Sequence, residues 1–462
     1  MPLSDPHQGL DPDASDASDA TSSAVSRTRP SRSLRVLIDA YNRDLEHGTG
    51  ISTYSRQLAQ ALTALGHKTH WLFARETPKG ADALTGEVSF FDRPHERSRV
   101  GRVTHAVKRI GQGFFGSTKI PAQLIRDGGT VVIDPERPHE TNAYNASGLY
   151  ERAHYKHMLR GKFTKVSIRD PMDVFHLTAP LPVRIKGNKS IKTIATIHDL
   201  IPLRLPYTTL DNKREIIRRL RTTIELADHI ITVSESSKTD IVNILGVDPA
   251  KVSVTYQATD LAPFRPSEHN ALPRVLARYG LEHKRFALFV SAIEPKKNLR
   301  RLIEAFLEVD SPMPLVVAGR KAWMWENEIG NLESVFGPRA LRRLRFLGYV
   351  PRVDLRYLYA GANFLAFPSL YEGFGLPALE AMLFGCPVLT SHTSSLPEIC
   401  GEAALFVDPF DRDDIREKIE RMIREPELRT WLTEAGREQA TKFTFDAYVQ
   451  RLGEAYGKLP SE

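Results

Sequence analysis

Seven residues separate Glu372 from Glu380, Gly373, Phe374, Gly375, Leu376 and Pro377 among them, in FPSLYEGFGLPALEAMLFGCPVLTS (367–391). Two glycines so close let backbone N–H groups approach a ligand with no Cβ in the way. Pro377 suits the first turn of a helix, where its missing donor costs nothing. A glycine loop feeding a helix N-terminus offers free N–H groups and the positive end of the helix dipole to an anion. A carboxylate on either side can accept hydrogen bonds from the hydroxyls of a sugar. The arrangement suits a diphosphate on the loop with sugar hydroxyls flanking it. The plainer reading is a bare turn, with Glu380 in solvent and Glu372 capping the helix. Two carboxylates, a proline and a strand–loop–helix context together favour a ligand site.

A diphosphate needs a cation. Lys297, in EPKKNL, follows the end of a strand and can neutralise charge on a departing phosphate. By charge alone it would be a solvated lysine at a helix start; its loop position argues for function. His198 and Asp199 follow the strand KTIATI directly. A lone histidine is more often structural, but one at the carboxyl end of a strand and facing a cleft is a candidate for chemistry. Asp199 orients it, binds an acceptor or caps a turn. Gly48, Thr49 and Gly50 occupy the first strand-to-helix loop, where a tight turn is nearly as good an account as a ligand. Two features are decoys. DRDD (411–414) contains D-x-D, yet it precedes a helix and reads as a cap. Cys386 reads as a small core residue.

These residues need strand ends to present them. LRVLIDA (34–40) reads as a buried strand, followed by the glycine loop and a helix through TYSRQLAQALTALG. HKTHWLFA, VFHLTAP, KTIATIHD, HIITVS and KVSVTY read as further strands, and REIIRRLRTTIELAD and SESSKTDIVNILG as helices, the second capped by Ser234 or Ser236. LAPFRPSEHN (261–270) reads as a linker. The alternation then restarts, with strands at RFALFVSA, PLVVAG, the end of LRRLRFLGYV, NFLAFPS and PVLTS and helices between them. Strands alternating with helices imply parallel sheets covered on both faces. Two such runs imply an α/β chain of two doubly wound domains, with ligands beyond the carboxyl ends of the strands.

The spacing of Glu372 and Glu380 resembles the E-x7-E signature of retaining GT-B glycosyltransferases, in particular glycosyltransferase family 4, the "glycosyl transferases group 1" proteins. FVSAIEPKKNLRRLIEAF, LVVAGRKAW, FLGYV, SSLPEICGEAALFVDP and TIHDLIPL are similar to family segments as well. The likeness covers roughly residues 34–458, with 90–190 poorly matched. It implies the GT-B fold: an N-terminal acceptor domain (34–265), a C-terminal nucleotide-sugar domain (270–440) and a last helix (441–462) returning to the first domain. It implies transfer of a hexose, with mannose from GDP-mannose the first choice, to a saccharide or lipid-linked saccharide with retention at the anomeric carbon. Glu380 would hold ribose hydroxyls and Glu372 the transferred sugar. Gly50, Gly373, Phe374, Gly375 and Leu376 would contact donor phosphate and sugar. Tyr349 and Val350 would lie at the nucleobase, and His198 near the reacting sugar, with Asp199 and Thr49 toward the acceptor. Many relatives pair the lysine with an arginine near the preceding strand end. Here that place holds Ser291 or Ala292, so Lys296 or Arg320 would supply the second cation.

Composition sets outer limits. The 462 residues suit two or three domains, and 41% hydrophobic with 26% charged residues is a globular balance. Two cysteines build neither a disulfide framework nor a Cys-rich zinc site, and fit a reducing, cytoplasmic compartment. No run of about 18 apolar residues suggests a membrane span. Residues 1–33 read as a disordered tail, and 90–190 as an irregular insertion with several short elements. Residues 93–115 carry many Arg and Lys among Val100, Val103, Val107, Ile110 and Phe114, a pattern that suits either an anionic membrane surface or an ordinary solvated helix. The net charge of +7 is mild, and no recognised nucleic-acid module appears. No metal or other cofactor is expected. The alternatives are a sugar-nucleotide epimerase, a synthase or phosphorylase-like enzyme, or a non-catalytic sugar-binding scaffold.

Overall fold

The computed structural model describes residues 32–43, 50–78, 85, 89–90, 119–125, 143–186, 191–210 and 212–460. Residues 1–31 of the expected tail, Thr49 and the basic stretch 93–115 lie outside them.

In chain order the N-terminal strands are β1 (Arg35–Asp39), β2 (Lys68–Phe73), β3 (Lys119–Pro121), β4 (Gln123–Ile125), β5 (Ala143–Asn145), β6 (Thr164–Ser167), β7 (Val174–Leu177), β8 (Val183–Lys186), β9 (Lys192–Thr196), β10 (His229–Thr232) and β11 (Val252–Val254). Eight of them form a sheet in the order β11-β10-β9-β7-β1-β2-β5-β4, parallel except where β4 runs against β5. The C-terminal strands are β12 (Ala287–Val290), β13 (Leu315–Ala318), β14 (Leu344–Gly348), β15 (Phe364–Phe367), β16 (Val388–Ser391) and β17 (Ala404–Val407). They form a second sheet, all parallel, in the order β14-β13-β12-β15-β16-β17. Both are doubly wound, Rossmann-like sheets.

The residue types explain the layering. Every residue of β12 (ALFV), β13 (LVVA), β15 (FLAF) and β16 (VLTS) is buried, as continuous apolar strands between two helical layers must be. The described part of the 90–190 stretch holds several short strands. β3, β6 and β8 make a small parallel sheet. In β6 (TKVS) and β8 (VRIK) buried and more exposed residues alternate, so one face is wet. β7 lies in the same stretch but at the centre of the main sheet, where VFHL is wholly buried.

The linker region holds a short 3-10 turn at Pro266–Ala271. DRDD caps: Asp411 accepts from the N–H groups of Asp413 and Asp414 at the start of helix Arg412–Arg424. The last helix, Phe445–Gly457, packs on the N-terminal domain. Its Tyr456 hydroxyl meets His176 Nδ1 at 2.7 Å, and Tyr448 meets the edge of Tyr54. One apolar core therefore runs from the C-terminal domain through this helix to one face of the N-terminal sheet.

Candidate active site

In a doubly wound sheet the chain turns opposite ways from its two central strands, and a crevice opens where it does. In the C-terminal sheet that point lies between β12 and β15. The loop after β12 carries Glu294, Lys296 and Lys297; the loop after β15 carries Glu372 and the glycines. Leu370 N–H donates to the Lys296 carbonyl at 2.8 Å and ties the loops together. Lys297 Nζ donates to Glu372 Oε1 at 2.6 Å, and both side chains are buried. Burial pushes Glu372 up, but Lys297 and then Lys296 override it and hold the carboxyl below its ordinary range. Lys296 lies 3.4 Å from Glu294. Burial pulls that lysine down, but Glu294, Glu372 and Asp199 raise it above the ordinary lysine value. Lys296 is thus the other cation whose charge acts on Glu372. Arg320 is exposed, and its carbonyl accepts from Ile293 N–H.

The glycine loop has a shape other residues resist. Gly375 has φ 106°, and a Cβ there would stand 2.8 Å from Leu396 Cδ2. Helix Leu376–Leu383 starts immediately after it, with Pro377 in its first turn. Phe374 is buried, and Leu376 packs against the core. Ser395 Oγ donates to the Glu372 and Phe374 carbonyls at 3.0 and 2.9 Å, and Glu372 N–H donates to Ser394 Oγ at 2.9 Å.

The other domain touches this loop. A Cβ on Gly373 would lie 2.9 Å from Asp199 Oδ2 and 3.2 Å from the His198 carbonyl. Ser234 and Ser237 hydroxyls both donate to the Gly373 carbonyl, at 2.7 and 3.3 Å. Glu398 accepts from Glu235 and Ser236 N–H at 2.7 and 3.2 Å, at the start of helix Glu235–Leu245. The structure thus brings His198, Asp199, Lys296, Lys297, Glu372 and Gly373 together. His198 Nε2 lies 3.1 Å from the Thr178 carbonyl, and its ring meets Tyr54 edge-on at 4.7 Å. Burial lowers the His198 pKa, against a smaller upward pull from Asp199.

Glu380 sits apart from that cluster, on the buried face of its helix. Tyr359 hydroxyl donates to Oε2 at 2.9 Å; Arg352 and Thr259 donate to Oε1 at 3.2 and 3.3 Å. Burial raises its pKa, with Arg352 the main opposing influence. Tyr349 is exposed and Val350 buried after β14. Ser291 N–H donates to the Ala318 carbonyl, joining the ends of β12 and β13. Gly50 begins helix Gly50–Ala64.

Sequence reasoning missed Arg352, Tyr359 and Thr259 around Glu380, and Ser394, Ser395 and Ser237 around the glycine loop. No spacing rule exposes them, because they reach the site from elements far in sequence from the residues they hold. Ser234 was legible as a helix cap but not as a hand across the cleft. Among the described residues no group of three or more His, Cys, Asp or Glu side chains could hold a metal ion.

Comparison with known proteins agrees on both halves. Residues 48–263 match Glycosyltransferase Family 4, and residues 277–439 match Glycosyl transferases group 1. The chain is 35% identical over 280 residues to O-antigen chain mannosyltransferase B of Escherichia coli, covering 58% of this chain and 71% of that protein. It is 30% identical over 276 residues to the serotype-specific mannosyltransferase WbdA of Escherichia coli, covering 58% of this chain but 34% of that longer protein. Among solved structures, sucrose-phosphate synthase from Thermosynechococcus elongatus superposes with a TM-score of 0.62 at 18% identity, over 92% of this chain and 99% of that one. HepE of Anabaena, solved with UDP and glucose, gives 0.60 at 14% identity over 92% and 100%. These likenesses show the GT-B fold.

Proposed function

Since the chain belongs to glycosyltransferase family 4 and is a hexosyltransferase, we propose that it transfers mannose, with retention, from GDP-mannose to a saccharide or lipid-linked saccharide acceptor in O-antigen-type polysaccharide synthesis. The observation that carries this reading is the buried Lys297–Glu372 pair at the crevice of the C-terminal sheet, with the Asp199 carboxylate and the His198 carbonyl of the other domain against the adjoining Gly373. The names of the similar mannosyltransferases favour the sugar.

In this reading the diphosphate lies on the N–H groups around Gly373–Leu376, with Lys297 and Lys296 beside it. The bond from the anomeric carbon to the phosphate oxygen breaks, and that oxygen gains negative charge. Cations already in place stabilise the charge most where it is greatest, in the transition state. The acceptor oxygen attacks from the same face, and its proton passes to the departing phosphate. Glu372, kept ionised by its lysines, holds the sugar. Glu380 would hold the ribose. A carboxylate has about four acceptor sites, and three donors already use it. A ribose diol needs two, so Arg352 or Thr259 must yield one.

No metal or other cofactor enters the reading. Among the described residues no helix is long and apolar enough to cross a membrane, and we place the enzyme at the cytoplasmic face, held peripherally through 93–115.

A thermal-shift panel of GDP-mannose, GDP, UDP-glucose, UDP and dTDP-sugars without added metal tests the donor. Saturating ligand at 100 times Kd adds about 2.7 kcal/mol of stability. A shift confined to the guanosine series is expected; a shift confined to another series overturns GDP-mannose. Glu372→Ala should abolish turnover and spare nucleotide binding. Undiminished turnover in that variant overturns the catalytic assignment.

A further inference from the structure

The N-terminal sheet has a crevice point of its own, between β1 and β7. β9, β7 and β1 are neighbours in register, with Ile38 beside His176 and His176 beside Ile194. Their carboxyl ends therefore lie side by side and deliver Asp39, Thr178 and His198. Asp39 and Thr178 are fully buried. Asp39 Oδ2 accepts from Thr178 N–H, and Oδ1 accepts from the Thr178 hydroxyl and Tyr41 N–H, both at 3.1 Å. Asp39 thus holds both the N–H and the hydroxyl of Thr178, the residue whose carbonyl faces the histidine. That carbonyl meets His198 Nε2 at 3.1 Å. A carbonyl only accepts, so the nitrogen facing it carries the proton.

We propose that Asp39 is a positioning residue for transfer: through Thr178 it fixes His198 as the Nε2–H tautomer, leaving the Nδ1 lone pair for a substrate hydroxyl other than the attacking one. The proposal rests on the reading that His198 lies near the reacting sugar. Tyr54 completes the hold. Its ring packs edge-on against the imidazole at 4.7 Å, and its hydroxyl is fixed to Thr196 Oγ1 at 2.8 Å. A carboxylate is required at Asp39 because both of its oxygens face donors. An amide there would turn an NH2 toward at least one N–H or hydroxyl and push the Thr178 segment out of line. Nearby His176 does not compete. It spans Tyr456 and Thr196, and burial lowers its pKa to about 3, so it stays neutral.

The test reads the His198 tautomer by 15N NMR of histidine-labelled full-length protein at pH 7.5, the signal assigned by its loss in His198→Gln. The wild type should show Nε2–H as the dominant form. A dominant Nδ1–H form, or an even mixture, overturns the proposal without any variant having to fold. In Asp39→Asn the signal should move toward a mixture and kcat should fall about tenfold to a hundredfold, while the donor KM stays near wild type. Thr178→Val, which removes only the hydroxyl donor, should keep the Nε2–H form. An unchanged tautomer in a folded Asp39→Asn overturns the link to Asp39. Undiminished turnover in His198→Ala overturns the reading of His198 itself, whatever Asp39 does.

Discussion

Each sheet buries a carboxylate at its crevice point, and the two are built oppositely. Glu372 faces two lysines, which hold it below the usual glutamate range despite its burial. Asp39 faces only neutral donors; burial outweighs them and pushes its carboxyl up to about 6. A coulombic partner keeps a buried carboxylate charged, whereas hydrogen bonds alone do so only in part. The C-terminal crevice thus stores charge that a ligand can meet. The N-terminal one spends its carboxylate on geometry, fixing a peptide and the histidine beyond it.

The largest effect should come from breaking the charged side. Lys297→Ala leaves Lys296 as the remaining cation beside Glu372 and should lower kcat by about 10²–10³-fold, with the Glu372 carboxyl rising. Steady-state kinetics with the donor found by the thermal-shift panel measures it. If Lys297→Ala turns over like the wild type, the contrast between the two crevices has no functional meaning.

The next test opposes the two carboxylates directly through pH. The native pKa of Asp39, about 6, lies above the ordinary aspartate value of 3.8. Below about 4 both folded and unfolded chains hold that proton. As pH rises toward 6 the unfolded chain releases it first, so native stability falls across that window and then levels off. The loss is roughly 3 kcal/mol. Glu372 has the reverse slope: its contribution is present above the ordinary glutamate pKa of 4.5 and disappears as pH falls through its lower native value. Urea unfolding of wild type and Asp39→Asn between pH 4 and 7.5 isolates the Asp39 term. Parallel curves would mean that Asp39 is solvated like any surface aspartate, and the comparison fails on that side.

A smaller loss should follow from the glycine loop. Gly375→Ala must hold a left-handed φ and press on Leu396, at a cost of roughly 1–3 kcal/mol by urea unfolding. A cost near zero would show that the loop relaxes and that its shape is not imposed.

How much of this was legible follows from where each contact arises. Strand–loop–helix order is local, so Lys297, Glu372, Gly373 and Gly375 could be singled out from spacing, and the sheets from apolar alternation. How the short elements of 90–190 pair was not legible, because β3, β6 and β8 are three or four residues long and meet across intervening chain. Asp39 passed as an ordinary strand end. Its meaning depends on Thr178, 139 residues away, and no periodicity carries that distance. Arg352 and Tyr359 were hidden for the same reason, reaching Glu380 from a neighbouring helix.

The finest test separates the two jobs of Ser234. Its oxygen accepts from Ser237 N–H at 3.0 Å and caps helix Glu235–Leu245, while its proton goes to the Gly373 carbonyl at 2.7 Å. A hydroxyl has one donor and two lone pairs, so both bonds coexist. Ser234→Ala removes both and should cost about 1 kcal/mol in urea unfolding. Ser234→Asp keeps a capping acceptor but has no proton to give, and sets a negative group against a carbonyl. The cap should survive while the grip across the cleft is lost. Donor affinity, read by calorimetry, should then fall about two- to tenfold in both variants, although only Ser234→Ala loses the cap. Equal affinity in wild type and Ser234→Asp would show that the serine serves its own helix alone, and that the glycine loop keeps its place without help from the other domain.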